Sequence, residues 1–312
     1  LTAAAIPRCC HAMRLALVIN RSSGRFRAAS PEATATAVAD ALCQSGHQTE
    51  THLVGRRLLA RTLSVLASRQ DLDAVVVGGG DGTILTAVVA GLGRDKPLGI
   101  LPMGTLNLFA RDLGLPADPI EAARCLDFSA TEIDLAEVNG LPFAIWASLG
   151  MHPWFVRRRD HLQRDGMRKW RAMALAALRA LRRYPMVDVV LDLKDGPRAV
   201  TTPMLFITNN PWRDETPPLS RESLDAGTLV IHVAACSTRL SLLWLMAETV
   251  LGHWRGSRRI QTFIAKEVRV TSEKHRMMVS LDGEVTVMAS PLVFKARPKA
   301  LRVLMPKGGT PA

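Results

Sequence analysis

The stretch that most constrains this chain is Gly78-Gly79-Gly80-Asp81-Gly82-Thr83. Four small apolar residues, 74–77, precede it and read as a buried strand; the apolar run 84–90 that follows reads as a helix. The glycines therefore stand on a strand-to-helix turn. Lacking Cβ atoms, they can take positive φ and let a ligand approach the main chain closely. Free N–H groups at the start of the following helix favour an anion, typically phosphate. Asp81 is a natural companion for a metal or a reacting hydroxyl. The spacing fits neither Walker A, since no Lys follows, nor the dinucleotide GxGxxG pattern. Four glycines around one Asp exceed what a tight turn needs.

The surrounding pattern alternates strand and helix. Residues 15–19 form a buried-type strand that runs into Asn20-Arg21-Ser22-Ser23-Gly24. Ser30-Pro31-Glu32 starts a helix with a cap and a proline at its first position. A second strand near 48–54 and a helix near 57–68 follow. A fourth strand, 98–101, ends in Pro102-Met103-Gly104-Thr105-Leu106-Asn107. Such alternation implies a parallel sheet with helices on both faces. Binding turns then belong at the carboxyl ends of the strands, where three polar, glycine-bearing turns fall and predict a nucleotide cleft. Past about residue 131 the apolar pattern acquires period two, in 132–138, 186–193, 229–233, 268–271 and 277–281, and antiparallel strands are expected. Asn139-Gly140 is a strong hairpin turn. The expected division is an α/β nucleotide domain at 13–130 and a mainly β domain with two helical insertions at 131–306. A chain of 312 residues has room for both cores.

A net charge of +12 points to an anionic partner: nucleic acid, nucleotide or anionic membrane. Aromatic content of 5% argues against a stacking surface for single-stranded nucleic acid. The five cysteines, Cys9, Cys10, Cys43, Cys125 and Cys236, are odd in number and scattered. That is no disulfide framework, and no CxxC pair or His cluster suggests zinc, so a reducing cytoplasm is expected. Residues before Met13 are expected to lie outside the fold, with Met13 a candidate start. The apolar piece 15–19 is too short for a signal-peptide core, and 240–251 is too short to span a bilayer. On a helix over 168–184, Trp170, Met173, Ala174, Ala177, Leu181 and Tyr184 share one face. Arg168, Lys169, Arg171, Arg179, Arg182 and Arg183 share the other. This basic amphipathic helix either packs on the second domain or meets an anionic membrane.

Near the end, Ser280-Leu281-Asp282-Gly283-Glu284-Val285 sets two carboxylates on either side of a glycine. It reads either as an ordinary Asp-Gly hairpin or as a pair in which one carboxylate accepts a proton while the other orients it or holds a metal.

Together these motifs resemble the diacylglycerol kinase catalytic-domain family, which includes bacterial soluble lipid kinases and sphingosine kinases. The resemblance covers 13–306. It is carried by the turn 20–24, GGGDGT, LPMGTLNLFARDLGLP at 101–116 and LDGE at 281–284. The GTxNxFA element is the most specific and separates this chain from NAD kinases, which share a GGDG loop and the two-domain plan. The resemblance implies an α/β nucleotide domain followed by an antiparallel β-sandwich domain. It implies a kinase that uses ATP and Mg²⁺ to phosphorylate a lipid hydroxyl, of diacylglycerol or a related lipid in phospholipid metabolism. Such a protein is cytoplasmic and peripheral at the inner face of the membrane, in contact with anionic lipid and not with nucleic acid. By position, Asn20, Arg21, Ser22, Ser23, Gly24, Thr51, Gly79, Gly80, Asp81, Gly82, Thr83, Ile84, Leu85, Thr105 and Asn107 would line the nucleotide site. Asp282, Glu284 and Asp81 would be the catalytic carboxylates. Phosphoryl transfer suits such a set, since it needs positioning and charge stabilisation more than covalent chemistry. Two departures stand out. Arg21 replaces a usual Pro, and Asp225-Ala226-Gly227 replaces Asp-Asp-Gly, which weakens Asp225 as a structural Mg²⁺ ligand. The alternatives are a kinase for NAD or another soluble substrate, and a nucleotide- or lipid-binding protein without turnover.

Overall fold

The computed structural model describes residues 12–24, 30–165, 167–213, 220–254 and 256–308. The expectations for residues 1–11, Cys9 and Cys10 included, lie outside the described residues.

The chain forms two compact units. The first contains β1 (Arg14–Asn20), α1 (Pro31–Gln44), β2 (Gln48–Val54), α2 (Arg56–Ser68), β3 (Ala74–Gly79), α3 (Asp81–Val89), β4 (Leu98–Pro102), most of α4 (Leu108–Asp112) and α5 (Pro119–Cys125). The strands run parallel in the order β2-β1-β3-β4. All of β3 and β4 is buried, which explains their unbroken apolar runs, whereas the edge strand β2 is polar. Ser30 caps α1, its hydroxyl accepting from the Ala33 N–H ahead of Pro31. Helix α3 starts three residues earlier than its apolar run suggests. Gly80 is its N-cap, so Asp81, Gly82 and Thr83 form its first turn.

The second unit holds two mostly antiparallel layers. One is ordered β12 (Ile260–Ala265), β11 (Leu229–Ala234), β10 (Met204–Asn209), β7 (Trp146–Gly150), β14 (Arg276–Leu281), β15 (Glu284–Ala289). The other contains β5 (Leu126–Val138), from residue 132 on, with β6 (Leu141–Phe143), and β16 (Leu292–Pro306) beside β13 (Glu267–Thr271), β8 (Val187–Leu193) and β9 (Gly196–Thr202). Their inward residues, among them Phe143, Leu149, Ile207, Ile231, Val279 and Phe294, make one buried core, so the unit is a β-sandwich. Asn139 and Gly140 turn β5 into β6 with φ of 48° and 81°, the left-handed pair that a two-residue hairpin needs. β16 serves both units: residues up to Leu301 belong to the second, and from Arg302 on they belong to the first, where Val303 pairs with Leu98 of β4. In the opposite sense, residues 111–113 at the end of α4 belong to the second unit.

Three helices are inserted in the sandwich: α6 (Met151–Arg164), α7 (Lys169–Arg183) and α8 (Arg239–Val250). α6 was not expected from its pattern. α7 was expected, and of its apolar face Leu181 and Tyr184 pack inward. Its buried stripe is Ala172, Ala176 and Ala180, spaced four apart, while Trp170 is 76% exposed and Ala174 and Ala177 face solvent. Small residues let α7 approach its neighbours closely, and Leu162 of α6 joins that contact. Among the described residues no helix is long and apolar enough to cross a membrane.

Candidate functional site

The first unit brings the three turns expected at the strand ends together. The Asn20 amide donates to Thr83 Oγ1 at 2.9 Å, joining the first turn to the second. Asn20 Oδ1 also accepts from the Ser22 N–H at 3.0 Å, which fixes the polar turn. The third turn is held by Asn107, whose Oδ1 accepts from the Gly104 N–H at 2.6 Å. Asp81 ties the second turn to the third. Its carboxylate accepts from the Phe109 N–H at 3.1 Å, with the Leu108 and Asn107 amides adding to its hold. Burial raises the Asp81 pKa above the ordinary carboxylate value, against the lowering by those amides. Its visible work is therefore to cap the helix start at 107–109.

The glycines are needed for close approach rather than for positive φ. Gly80 has φ −91°, and none of Gly78, Gly79, Gly80, Gly82 or Gly104 lies in the left-handed region. A Cβ on Gly80 would sit 3.0 Å from the Gly104 Cα, and one on Gly104 would sit 2.5 Å from the Gly80 Cα. The two turns touch backbone to backbone, and a side chain would wedge them apart. Beside them, the Thr83 N–H already donates to the Gly80 carbonyl at 2.8 Å, but the Gly82 N–H before it has no intrahelical acceptor, and Ser23 Oγ is buried without a partner. These are unspent donors where a phosphate fits.

Other expected residues fall differently. Ile84 and Leu85 are buried in the core, so their side chains pack rather than bind. Thr51 lies mid-way along the edge strand opposite Leu17, short of the turns. Thr105 is exposed, and Gly24 lies close enough that a Cβ on it would meet Thr105 Oγ1 at 3.4 Å. Arg21 uses the donor that proline lacks: its N–H bonds the Val54 carbonyl at 3.0 Å, and its guanidinium pairs with Glu32. Asp225 is exposed and bonded to Ser223, and no group of three His, Cys, Asp or Glu that could hold a metal comes together among the described residues. The structural Mg²⁺ site expected at Asp225 does not fit this donor set.

In the second unit, Asp282 and Gly283 join β14 to β15 with φ of 47° and 87°, so the ordinary hairpin reading is correct in geometry. The Asp282 carboxylate nevertheless has further work. Oδ2 accepts from the Ala144 N–H at 2.7 Å, and Oδ1 accepts from the Ile145 and Trp146 N–H groups at 2.9 Å each. The Ala144 carbonyl in turn accepts from Asn209 and from Arg221 Nη1. Arg221 is completely buried and bonds both oxygens of Asp112 at 2.8 Å. Asp112, Arg221 and Asn209 were not found by sequence reasoning. An Asp-Arg pair so far apart in the chain leaves no periodic signal. Glu284, one step past the hairpin, is exposed and lines a cavity.

That cavity, about 1330 Å³, lies among α6, α7 and the β14–β15 hairpin, and its walls carry Arg157, Arg158, Arg179, Arg182 and Arg183. A second cavity, about 430 Å³, is apolar and lies under α8. It is lined by Trp146, Phe206, Trp212, Leu242, Leu245 and Trp254, with His152 in its wall. Trp146 Nε1 is buried there without a partner. His152 Nδ1 shares a hydrogen bond of 2.7 Å with Ser148 Oγ.

The sequence matches the family described as the diacylglycerol kinase catalytic domain over residues 14–138, and the YegS C-terminal NAD kinase beta sandwich-like domain over 156–305. It is 33% identical over 259 residues to a diacylglycerol kinase of Mycobacterium tuberculosis, covering 80% of this chain and 82% of that protein. An uncharacterised Synechocystis protein is 24% identical over 244 residues, 74% of this chain, which spans only 54% of that longer protein. Among solved structures, a diacylglycerol kinase from Bacillus anthracis str. Sterne has a TM-score of 0.67 at 16% identity, covering 96% of this chain and 98% of its own. A further structure from that organism reaches 0.74 at 18% identity, covering 96% of this chain and 99% of its own. At such identities the likeness shows the shared fold.

Proposed function

This chain belongs to the diacylglycerol kinase catalytic-domain family, and from that membership we propose that it transfers the γ-phosphoryl group of ATP to a lipid hydroxyl. The observation that carries the lipid reading is the apolar cavity under α8. Its volume is within the range of small-molecule sites, and its lining is nearly all apolar, as an acyl chain requires. The outward face of α8 adds Leu240, Leu243, Trp244, Val250 and Leu251, all exposed, which suits contact with a membrane surface at its cytoplasmic side. The family name of the second half mentions NAD kinase, yet an apolar cavity is a poor seat for a charged dinucleotide.

On this reading the nucleotide phosphates rest against the first turn of α3 and the Ser23 hydroxyl. A divalent ion bound with ATP takes most of its ligands from phosphate oxygens and water and needs one or two protein carboxylates. Asp81 is the carboxylate of the glycine turn that would supply one, and the ion would offset phosphate charge. Glu284 is the proton acceptor for the lipid hydroxyl, because its carboxylate is exposed just past the β14–β15 hairpin, in the wall of the arginine-lined cavity and not of the apolar one. Asp282 is a positioning residue, its oxygens already engaged by three N–H groups. The first compact unit carries the nucleotide and the second the acceptor, close to the expected 13–130 and 131–306 but with 111–113 and the end of β16 exchanged.

The test is transfer of radiolabel from ATP to a panel of extracted lipids, soluble polyols and NAD. Label in the organic phase is expected, and Glu284→Gln should lower it at least about a hundredfold while ATP still binds. Label on NAD alone overturns the lipid reading, and ATP binding without label on anything makes the protein a non-catalytic binder.

A further inference from the structure

We infer that the arginine-lined cavity of the second unit is a binding site for a phosphate group other than those of the nucleotide. Arg157 and Arg158 enter it from α6, and Arg179, Arg182 and Arg183 from α7. The last three are spaced i, i+3 and i+4 and so share a helix face. Five guanidinium groups on one cavity repel one another unless an anion enters. Within the walls the opposing charges are few. Asp160 is already paired with Arg159 at 2.7 Å, which leaves Glu284. Among the described residues no carboxylate pairs with any of the five arginines.

Arg157, Arg182 and Arg183 are exposed, as on any solvated basic face, but Arg179 departs from that pattern. Here Arg179 Nη1 is buried and has no hydrogen-bond partner. Leaving a charged donor buried and unpaired is costly, and a ligand oxygen would remove that cost. The planar, forked guanidinium matches phosphate oxygens two at a time, and arginine rather than lysine fills all five positions. All lining residues belong to the second unit, whereas the glycine turn belongs to the first. The cavity thus presents phosphate chemistry of its own, on a lipid headgroup or on a free phosphomonoester. The inference needs no turnover and shares only the Glu284 wall with the kinase reading.

The experiment measures binding to the full chain with a non-hydrolysable ATP analogue saturating the nucleotide turn. One arm titrates glycerol phosphate by calorimetry; the other sediments phosphatidylcholine vesicles with and without phosphatidylglycerol. Arg182→Gln/Arg183→Gln on α7 and Arg157→Gln/Arg158→Gln on α6 are compared with Lys194→Gln/Arg198→Gln. The last pair is exposed on the β8–β9 hairpin and outside the cavity. Each cavity variant should bind at least about tenfold more weakly, as loss of charge-assisted bonds predicts, and the control should bind like wild type. Loss in the glycerol phosphate arm assigns a free phosphate; loss in the phosphatidylglycerol arm alone assigns a lipid headgroup. The proposal is overturned if wild type binds neither probe, if the cavity variants bind as wild type does, or if the control loses as much as they do. Two variants on different helices, checked by thermal melting, guard against a folding defect in one.

Discussion

Replacing Asp282 by Asn should cost stability before it costs anything else. The carboxylate accepts three backbone N–H groups, two on Oδ1 and one on Oδ2. An asparagine oxygen placed at Oδ1 keeps the bonds from Ile145 and Trp146. Its NH₂ then faces the Ala144 N–H, so one bond is lost and two donors oppose each other. Hydrogen bonds to charged groups contribute about 1.5–3 kcal/mol net, and the two that survive weaken once the charge is gone. A loss of about 3 kcal/mol follows, or roughly 6–12 °C in melting temperature for a domain of this size. Glu284→Gln is the comparator. It is an exposed substitution two residues away and should stay within about 0.5 kcal/mol of wild type. Urea and thermal unfolding of both variants decide the matter, with ATP affinity checking that the first unit is intact. If Asp282→Asn melts with wild type, the three N–H contacts do not hold the 144–146 segment, and Asp282 returns as a candidate proton acceptor.

Gly80→Val should abolish nucleotide binding and lower the melting temperature, because its side chain would enter the space of the Gly104 backbone; unchanged ATP affinity in titration calorimetry would dissociate the touching turns from the site. Arg221→Met should destabilise by about 3–5 kcal/mol through the charge stranded on Asp112, and adding Asp112→Leu should recover much of it; urea unfolding in which the double variant is no better than the single one refutes the pairing account. Burial, then the Arg159 guanidinium, lowers the His152 pKa to about 4. The unfolded chain takes up that proton near pH 6.5 and the folded chain does not, so stability is full above pH 6.5 and declines as pH falls towards 4. About 2 kcal/mol should be lost between pH 7 and 5, and His152→Phe should flatten that slope; an equal slope in the variant would assign it to other groups.

Much of the first unit was legible because its determinants are local. Buried parallel strands advertise themselves as unbroken apolar runs, and Ser30-Pro31 marks a helix start by chemistry that acts within one turn. Asn139-Gly140 marks a hairpin in the same way. The glycine turn was found for partly the wrong reason: its residues were expected to need positive φ, and they need room for a second turn from 24 positions further along. What could not be read depends on distant partners. The amides at 144–146 that hold the Asp282 carboxylate leave no mark in the sequence around 281–284. Asp112 and Arg221, 109 positions apart, give no pattern at all. On α7 the pattern left open whether the large side chains pack or meet a membrane; the packed stripe is alanine, Leu181 and Tyr184 pack beside it, and Trp170 is exposed.

The long strand β16 has a consequence for how the chain is made. The first unit has its parallel strands β1 to β4 translated early, yet the strand that pairs with β4 through Val303 is the last described strand to leave the ribosome. Until then Leu98 lacks its neighbour on that side, and the apolar side chains of Leu301, Val303 and Leu304 are missing from the folded interior. Vectorial synthesis therefore cannot finish the first unit before the second has been translated. Nascent chains stalled ahead of residue 302 should expose an unpaired strand edge, with the aggregation hazard that such edges bring.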